Sequence, residues 1–270
     1  MHNRITEKFR ELAENGERAL ICYVVAGYPD IATSKQVIDA LVEGGADIIE
    51  VGIPFSDPIA DGPTIQSASN IALKNGMTPG KALNLIGVVR KKHPTLPILA
   101  MTYSNILVRP GMEKFMYTSK QSGLDGFILP DLPVEEAGTY TSVASRLNLA
   151  TVFLVSPNTP EIRLRKIVAN TTGFLYVVSV YGITGARNSF QKYTLDTIRA
   201  VKQTAGAKVP VAVGFGISRP AHVKNMVAAG AEAVIVGSAI INKISDGSST
   251  KMLIDLENFA KTMKKPCKIK

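Results

Sequence analysis

Residue types that build reactive centres are scarce in this chain. It has two cysteines, Cys22 and Cys267, near opposite ends. They form neither a metal-binding nor a redox spacing. Cys22 lies in the apolar run ALICYVVAG and reads as a small buried hydrophobe, while Cys267 falls in what reads as a terminal tail. The three histidines are His2 at the terminus, His93 beside Pro94 at the end of a helical pattern, and His222 inside another. So dispersed, they do not assemble a histidine-built metal site. No apolar run approaches the about 20 residues needed to span a bilayer. The opening stretch, MHNRITEKFRELAENGERAL, is charged and helical in pattern, with no apolar signal segment. The expectation is a cytoplasmic protein with no membrane association.

Positive charge is in excess, with a net charge of +9. Lys261, Lys264, Lys265, Lys268 and Lys270 crowd the last ten residues, and RKKH at 90–93 adds a second cluster. Aromatic residues are not interleaved with these cations, as they are in single-strand nucleic-acid binders. They read as solvated lysines and a frayed tail rather than a nucleic-acid surface. A positive field that attracts an anionic metabolite is a milder reading.

What is present is a repeated pattern. Apolar, β-branched runs recur at 19–26, 47–51, 97–103, 125–130, 150–156, 173–179, 209–215 and 231–238. Most are continuous rather than alternating, as strands buried on both faces of a parallel sheet require. Helical patterns fill the intervals, several ending at a glycine such as Gly44, Gly123, Gly206 or Gly230. Eight strands alternating with helices predict an α/β fold, a (β/α)8 TIM barrel with an extra N-terminal helix capping its floor. A doubly wound open sheet is the competitor, but it more often has five or six strands. No linker or composition break divides residues 1–270, which read as a single barrel domain.

In this fold the active site lies at the C-terminal ends of the strands. No lysine stands there, which disfavours a Schiff-base aldolase. No GxSxG or Cys/His nucleophile arrangement is visible. Carboxylates, tyrosines and glycines remain, and they point to acid–base chemistry without a covalent intermediate or a metal. The stretch IIEVGIPFSDPIADGP (48–63) holds the acids. Glu50 ends an otherwise apolar strand, where partial desolvation raises a carboxyl pKa toward neutrality. Its structural alternative is a partner for a loop N–H or an arginine. Asp61 sits in a loop able to close over a ligand, or caps the helix starting at Pro63. Asp57, before Pro58, reads as a turn or surface residue, and Asp131, between two prolines, is ambiguous. GITG (182–185), GFGI (214–217) and GSAI (237–240) follow the last three strands. Glycine lets backbone approach an anion closely, and the loops after strands seven and eight are the usual phosphate cradle here.

The run IEVGIPFSDPIADGP closely resembles the signature of the tryptophan synthase α subunit family. MTYSNIL, DGFILPDLPVEE, the GITGAR loop, VGFGIS and VGSAII follow in family order and spacing. The resemblance implies a carbon–carbon lyase of tryptophan biosynthesis. Its reaction is retro-aldol cleavage of indole-3-glycerol phosphate to indole and glyceraldehyde 3-phosphate. Indole is passed to a β subunit that carries pyridoxal phosphate, in an α2β2 heterotetramer, and the α subunit needs no cofactor. By the same resemblance, Glu50 is the general acid–base and Asp61 pairs with the indole N–H. Tyr176 stands beside the catalytic Glu50, and Thr184 bonds Asp61 when the loop after strand six closes. Gly185, Gly214, Gly216, Gly237 and Ser238 hold the phosphate. Tyr23, Ile65, Met101 and Leu129 line the indole pocket, and Tyr103 is counted with the substrate-binding residues. Asp57, Pro58 and Pro133 face the β subunit. The chain departs from the common pattern after strand six, with a bulky Tyr181 and with Val180. A free-standing lyase, another phosphate-binding barrel and a non-catalytic activator of β are the competing readings.

Overall fold

The computed structural model describes residues 3–178, 192–214, 216–244 and 249–269. The eight strands are β1 (Ala19–Val25), β2 (Ile48–Gly52), β3 (Ile98–Met101), β4 (Gly126–Ile128), β5 (Ala150–Val155), β6 (Leu175–Val178), β7 (Val211–Gly214) and β8 (Ala233–Val236). Each pairs in parallel with the next, and β8 returns to β1, so the barrel is closed. This is the predicted TIM barrel. Nearly every strand residue is buried, because the barrel interior covers one face and the helices cover the other. That double burial is why the runs read as continuously apolar. It also makes Glu50, paired in register with Tyr23 and Leu99, conspicuous.

The helices follow from local chemistry. Asp30 caps Ile31–Glu43 by accepting the Thr33 N–H at 2.9 Å. Pro63 opens Pro63–Lys74 at its first turn, where its missing N–H costs nothing. The helix that ends at Glu43 has Gly44 in right-handed geometry, and it is Gly45, at φ +95°, that turns the chain. A short helix, Ser104–Val108, was not foreseen. It depends on Asp131, whose two carboxylate oxygens each accept the Ser104 N–H at 3.0 Å. That partner is 27 residues downstream and leaves no local signal.

The N-terminal helix Arg4–Glu14 covers the floor of the barrel, as expected. It buries Ile5, Phe9 and Leu12, one per turn. Arg4 reaches Asp125, just before β4, at 2.8 Å, and Phe9 packs on Phe174, just before β6.

Two readings of the basic clusters are corrected. Arg90 is not a solvated cation. It is 12% exposed, pairs with Asp125 at 2.7 Å and donates to the carbonyls of His93, Leu96 and Gly123. His93 bonds Asp39 at 2.8 Å. Nor is the C-terminal segment a frayed tail. Lys264 is 13% exposed and lies between Asp47 at 2.8 Å and Glu17 at 3.1 Å. Cys267 is wholly buried, and its carbonyl accepts the Arg18 N–H at 2.7 Å. The segment is ordered because buried acids at the floor require cationic partners. Lys270 lies outside the described residues. No helix among the described residues is long and apolar enough to cross a membrane.

Candidate active site

The barrel mouth holds a narrow cleft. Tyr23, Ile65, Met101 and Tyr176 contribute its apolar lining, and Asp61 lines it as well. Gly216, Gly237 and Ser238 line it too, Gly237 close against the Tyr23 ring. Residues from four strands, β1, β3, β6 and β8, and from the segments after β2, β7 and β8 therefore converge on one space. Sequence reasoning missed Ile217, Ser218, Ile235 and Ala239, which also line it. Ile235 was within reach: it lies two residues before Gly237, hence on the same face of an extended chain.

Glu50 is fully buried in β2. Neither of its carboxylate oxygens has a hydrogen-bond partner among the described residues. Among the described residues it anchors no loop N–H and no arginine. Burial pushes its pKa up to about 8 through the loss of water around the charged form. Tyr23 and Tyr176 flank it electrostatically. Both phenols are held well above their ordinary pKa, first by burial and then by the charges of Asp61 and Glu50. They remain protonated at any physiological pH.

Asp61 is 7% exposed and does not cap the helix that follows; Gly62 takes that position, with no side-chain cap. Its Oδ2 accepts the Tyr103 hydroxyl at 3.2 Å. Burial raises its pKa to about 6, and the Tyr103 bond opposes the rise. The two acids thus differ in kind. At neutral pH Glu50 is a neutral acid and Asp61 a carboxylate. Two carboxyls driven apart by their surroundings mark an acid–base division of labour.

Two glycines make room for the tyrosines. A Cβ on Gly52 would lie 2.2 Å from the Tyr23 hydroxyl, and one on Gly214 would lie 2.5 Å from that of Tyr176. Gly214 thus seats Tyr176 and is not among the residues lining the cleft.

Other expected residues are placed elsewhere. Leu129 and Pro133 line a neighbouring cleft between the ends of β4 and β5 rather than the one lined by Tyr23 and Asp61. Asp57 and Pro58 sit on the loop after β2 beside Ile59, which is 78% exposed. Asp131 caps Ser104–Val108, which resolves its ambiguity. Thr184, Gly185, Val180 and Tyr181 lie outside the described residues. Among the described residues, no group of three or more His, Cys, Asp or Glu side chains is placed to hold a metal.

A family model described as "Tryptophan synthase alpha chain" matches residues 9–268. The chain is 43% identical over 238 residues to the tryptophan synthase alpha chain of Methanocaldococcus jannaschii, covering 88% of this chain and 83% of that protein. It is 43% identical over 261 residues to the alpha chain of Methanosarcina barkeri, covering 97% and 96%. A chain of the tryptophan synthase complex from Pyrococcus furiosus superposes with a TM-score of 0.84 at 39% identity, covering 92% of this chain and 98% of that one. Matches of this strength over nearly the whole length carry one conclusion: the chain belongs to the tryptophan synthase alpha chain family.

Proposed function

We propose that the mouth cleft binds indole-3-glycerol phosphate and that Glu50 and Asp61 carry its cleavage to indole and glyceraldehyde 3-phosphate. One observation supports this above the others. Glu50, with no hydrogen-bond partner among the described residues, is buried in register with Tyr23, and Tyr23 lines an apolar and aromatic cleft that Asp61, Gly216, Gly237 and Ser238 also line. A fold keeps such an acid only against a strong energetic penalty, and an acid–base role explains its retention.

The chemistry follows from the two protonation states. The indole ring lies against Tyr23, Ile65 and Met101. Neutral Glu50 gives its proton to indole C3. The ring becomes an indoleninium, and the positive charge on its nitrogen is met by the Asp61 carboxylate. The bond between C3 and the glycerol carbon then breaks. Its electron pair returns to the ring and restores aromaticity. The adjacent hydroxyl becomes the aldehyde, and its proton passes to the Glu50 carboxylate, which regains the form it began with. Tyr176 keeps Glu50 facing the reacting carbon. The phosphate sits on backbone N–H groups near Gly216, Gly237 and Ser238, where the first turn of Ser238–Ile244 leaves N–H groups outside the helical ladder. Gly185 completes this cradle, and Thr184 bonds Asp61 on closure.

Indole is handed to a β subunit, which faces Asp57, Pro58 and Pro133 in an α2β2 assembly. Exposed Ile59 beside Pro58 supports a docked surface there. Pyridoxal phosphate belongs to β, and this chain works without a cofactor, in the cytoplasm. Assay of indole release by the purified chain and its Glu50→Gln variant, each with and without β, tests the reading. Loss of cleavage with retained substrate binding is expected; near wild-type turnover in the variant overturns it.

A further inference from the structure

The loop between β2 and the helix at Pro63 has to aim one carboxylate while leaving an exposed tip. Tyr103, in the loop after β3, touches it at both ends. Its ring packs on Phe55, with centroids 5.2 Å apart. Its hydroxyl accepts the Ala60 N–H at 3.0 Å and donates to Asp61 Oδ2 at 3.2 Å. Between these contacts Ser56, Asp57 and Ile59 are exposed. Tyr103 itself is 5% exposed and does not line the cleft. Its hydroxyl is engaged with protein on both its donor and acceptor sides.

Tyr103 is in turn held from behind. The next residue, Ser104, donates its N–H to Asp131 at 3.0 Å and its hydroxyl to the same carboxylate at 2.6 Å. The loops after β2, β3 and β4 are thus bonded in series, with Tyr103 in the middle.

We propose that Tyr103 is a positioning residue for the lyase step rather than a substrate contact: its hydroxyl fixes the Asp61 carboxylate so that one oxygen is held by protein and the other is left for the indole nitrogen. This rests on the reading of Asp61 given above. The geometry has an electrostatic consequence. A donor on the carboxylate favours its ionised form, against the burial that disfavours it. Tyr103 thereby keeps Asp61 negative in the pH range where Glu50 still holds its proton.

The test is the chain with Tyr103→Phe, which keeps the ring on Phe55 and removes only the hydroxyl. The Asp61 titration is followed by carboxyl-carbon NMR, and indole formation is measured across pH. The Asp61 midpoint is expected to rise by about one pH unit, since a hydrogen bond to a charged group is worth roughly that. The acid limb of kcat/KM is expected to move up with it. Incorporating 3-fluorotyrosine at 103, a stronger donor of the same shape, is expected to move both downward, and it answers the question even if Tyr103→Phe folds poorly. An unmoved midpoint, or a moved midpoint with a stationary acid limb, overturns the proposal. Asp61→Asn with full turnover would instead overturn the reading of Asp61 on which it rests.

Discussion

Tyr176 of β6 stands directly over Gly214 of β7, so close that a single added carbon on Gly214 would lie 2.5 Å from its hydroxyl. A tyrosine buried to this degree cannot swing away. Gly214→Ala is therefore expected to destabilise the fold by about 1–3 kcal/mol, the usual cost of overpacking. It is also expected to lower kcat/KM by up to roughly 10²-fold, the scale of an about 1 Å misplacement of the reacting geometry. Gly138→Ala, where nothing lies within 4 Å of the new carbon, is the control and should leave both unchanged. Urea unfolding and a steady-state lyase assay on the two variants decide it.

The two acids predict a bell-shaped pH profile. In the proposed mechanism Asp61 is ionised, so kcat/KM falls below about pH 6, and Glu50 holds its proton, so it falls above about pH 8. Removing the Glu50 titration in Glu50→Gln leaves a residual rate that no longer falls on the alkaline side. A wild-type profile that stays level from pH 5 to 9, measured with saturating and limiting substrate, contradicts the assignment.

The same acid makes stability depend on pH. In the folded barrel Glu50 titrates near 8, against an ordinary value of 4.5. Between those two values the folded state keeps a proton that the unfolded chain has lost. Stability therefore falls as pH rises, by about 1.4 kcal/mol per unit at most, and the penalty is absent below the unfolded pKa. The difference in unfolding free energy between wild type and Glu50→Gln should thus shrink or reverse with pH across this window. Parallel curves at pH 5, 6, 7 and 8 would show that Glu50 is not raised.

At the opposite face, Lys264→Met leaves the Asp47 carboxylate, 12% exposed, with only the Leu20 N–H. Breaking a largely buried pair from one side costs about 3 kcal/mol. Thermal unfolding should record that loss while kcat stays at its wild-type value, because the pair lies at the barrel floor, away from Glu50.

The sequence made the frame legible because a parallel barrel buries both faces of every strand. That constraint writes eight continuous apolar runs into the chain, and it makes one carboxylate, Glu50, stand out. Asp61 was readable through its motif and its loop. What stayed hidden were partnerships between residues far apart in the chain. Arg90 and Lys264 look like surface cations until Asp125 and Asp47 come under them. Asp131 looks idle between two prolines until Ser104 arrives. Gly214 reads as an anion-binding glycine by its motif, yet what its missing side chain makes room for is Tyr176. No window of local sequence carries such pairings, because each is fixed only when the strands close.

Glu50, without a hydrogen-bond partner among the described residues, bears on any attempt to redesign this barrel. A sequence optimised on this backbone for stability alone would place an aliphatic side chain at position 50, since an unsatisfied buried acid is the first fault such a procedure removes. If Glu50 has the role proposed for it, the product would be a sturdier, well-packed protein with an empty-handed active site, and thermostable variants of this chain have to be selected with position 50 held fixed.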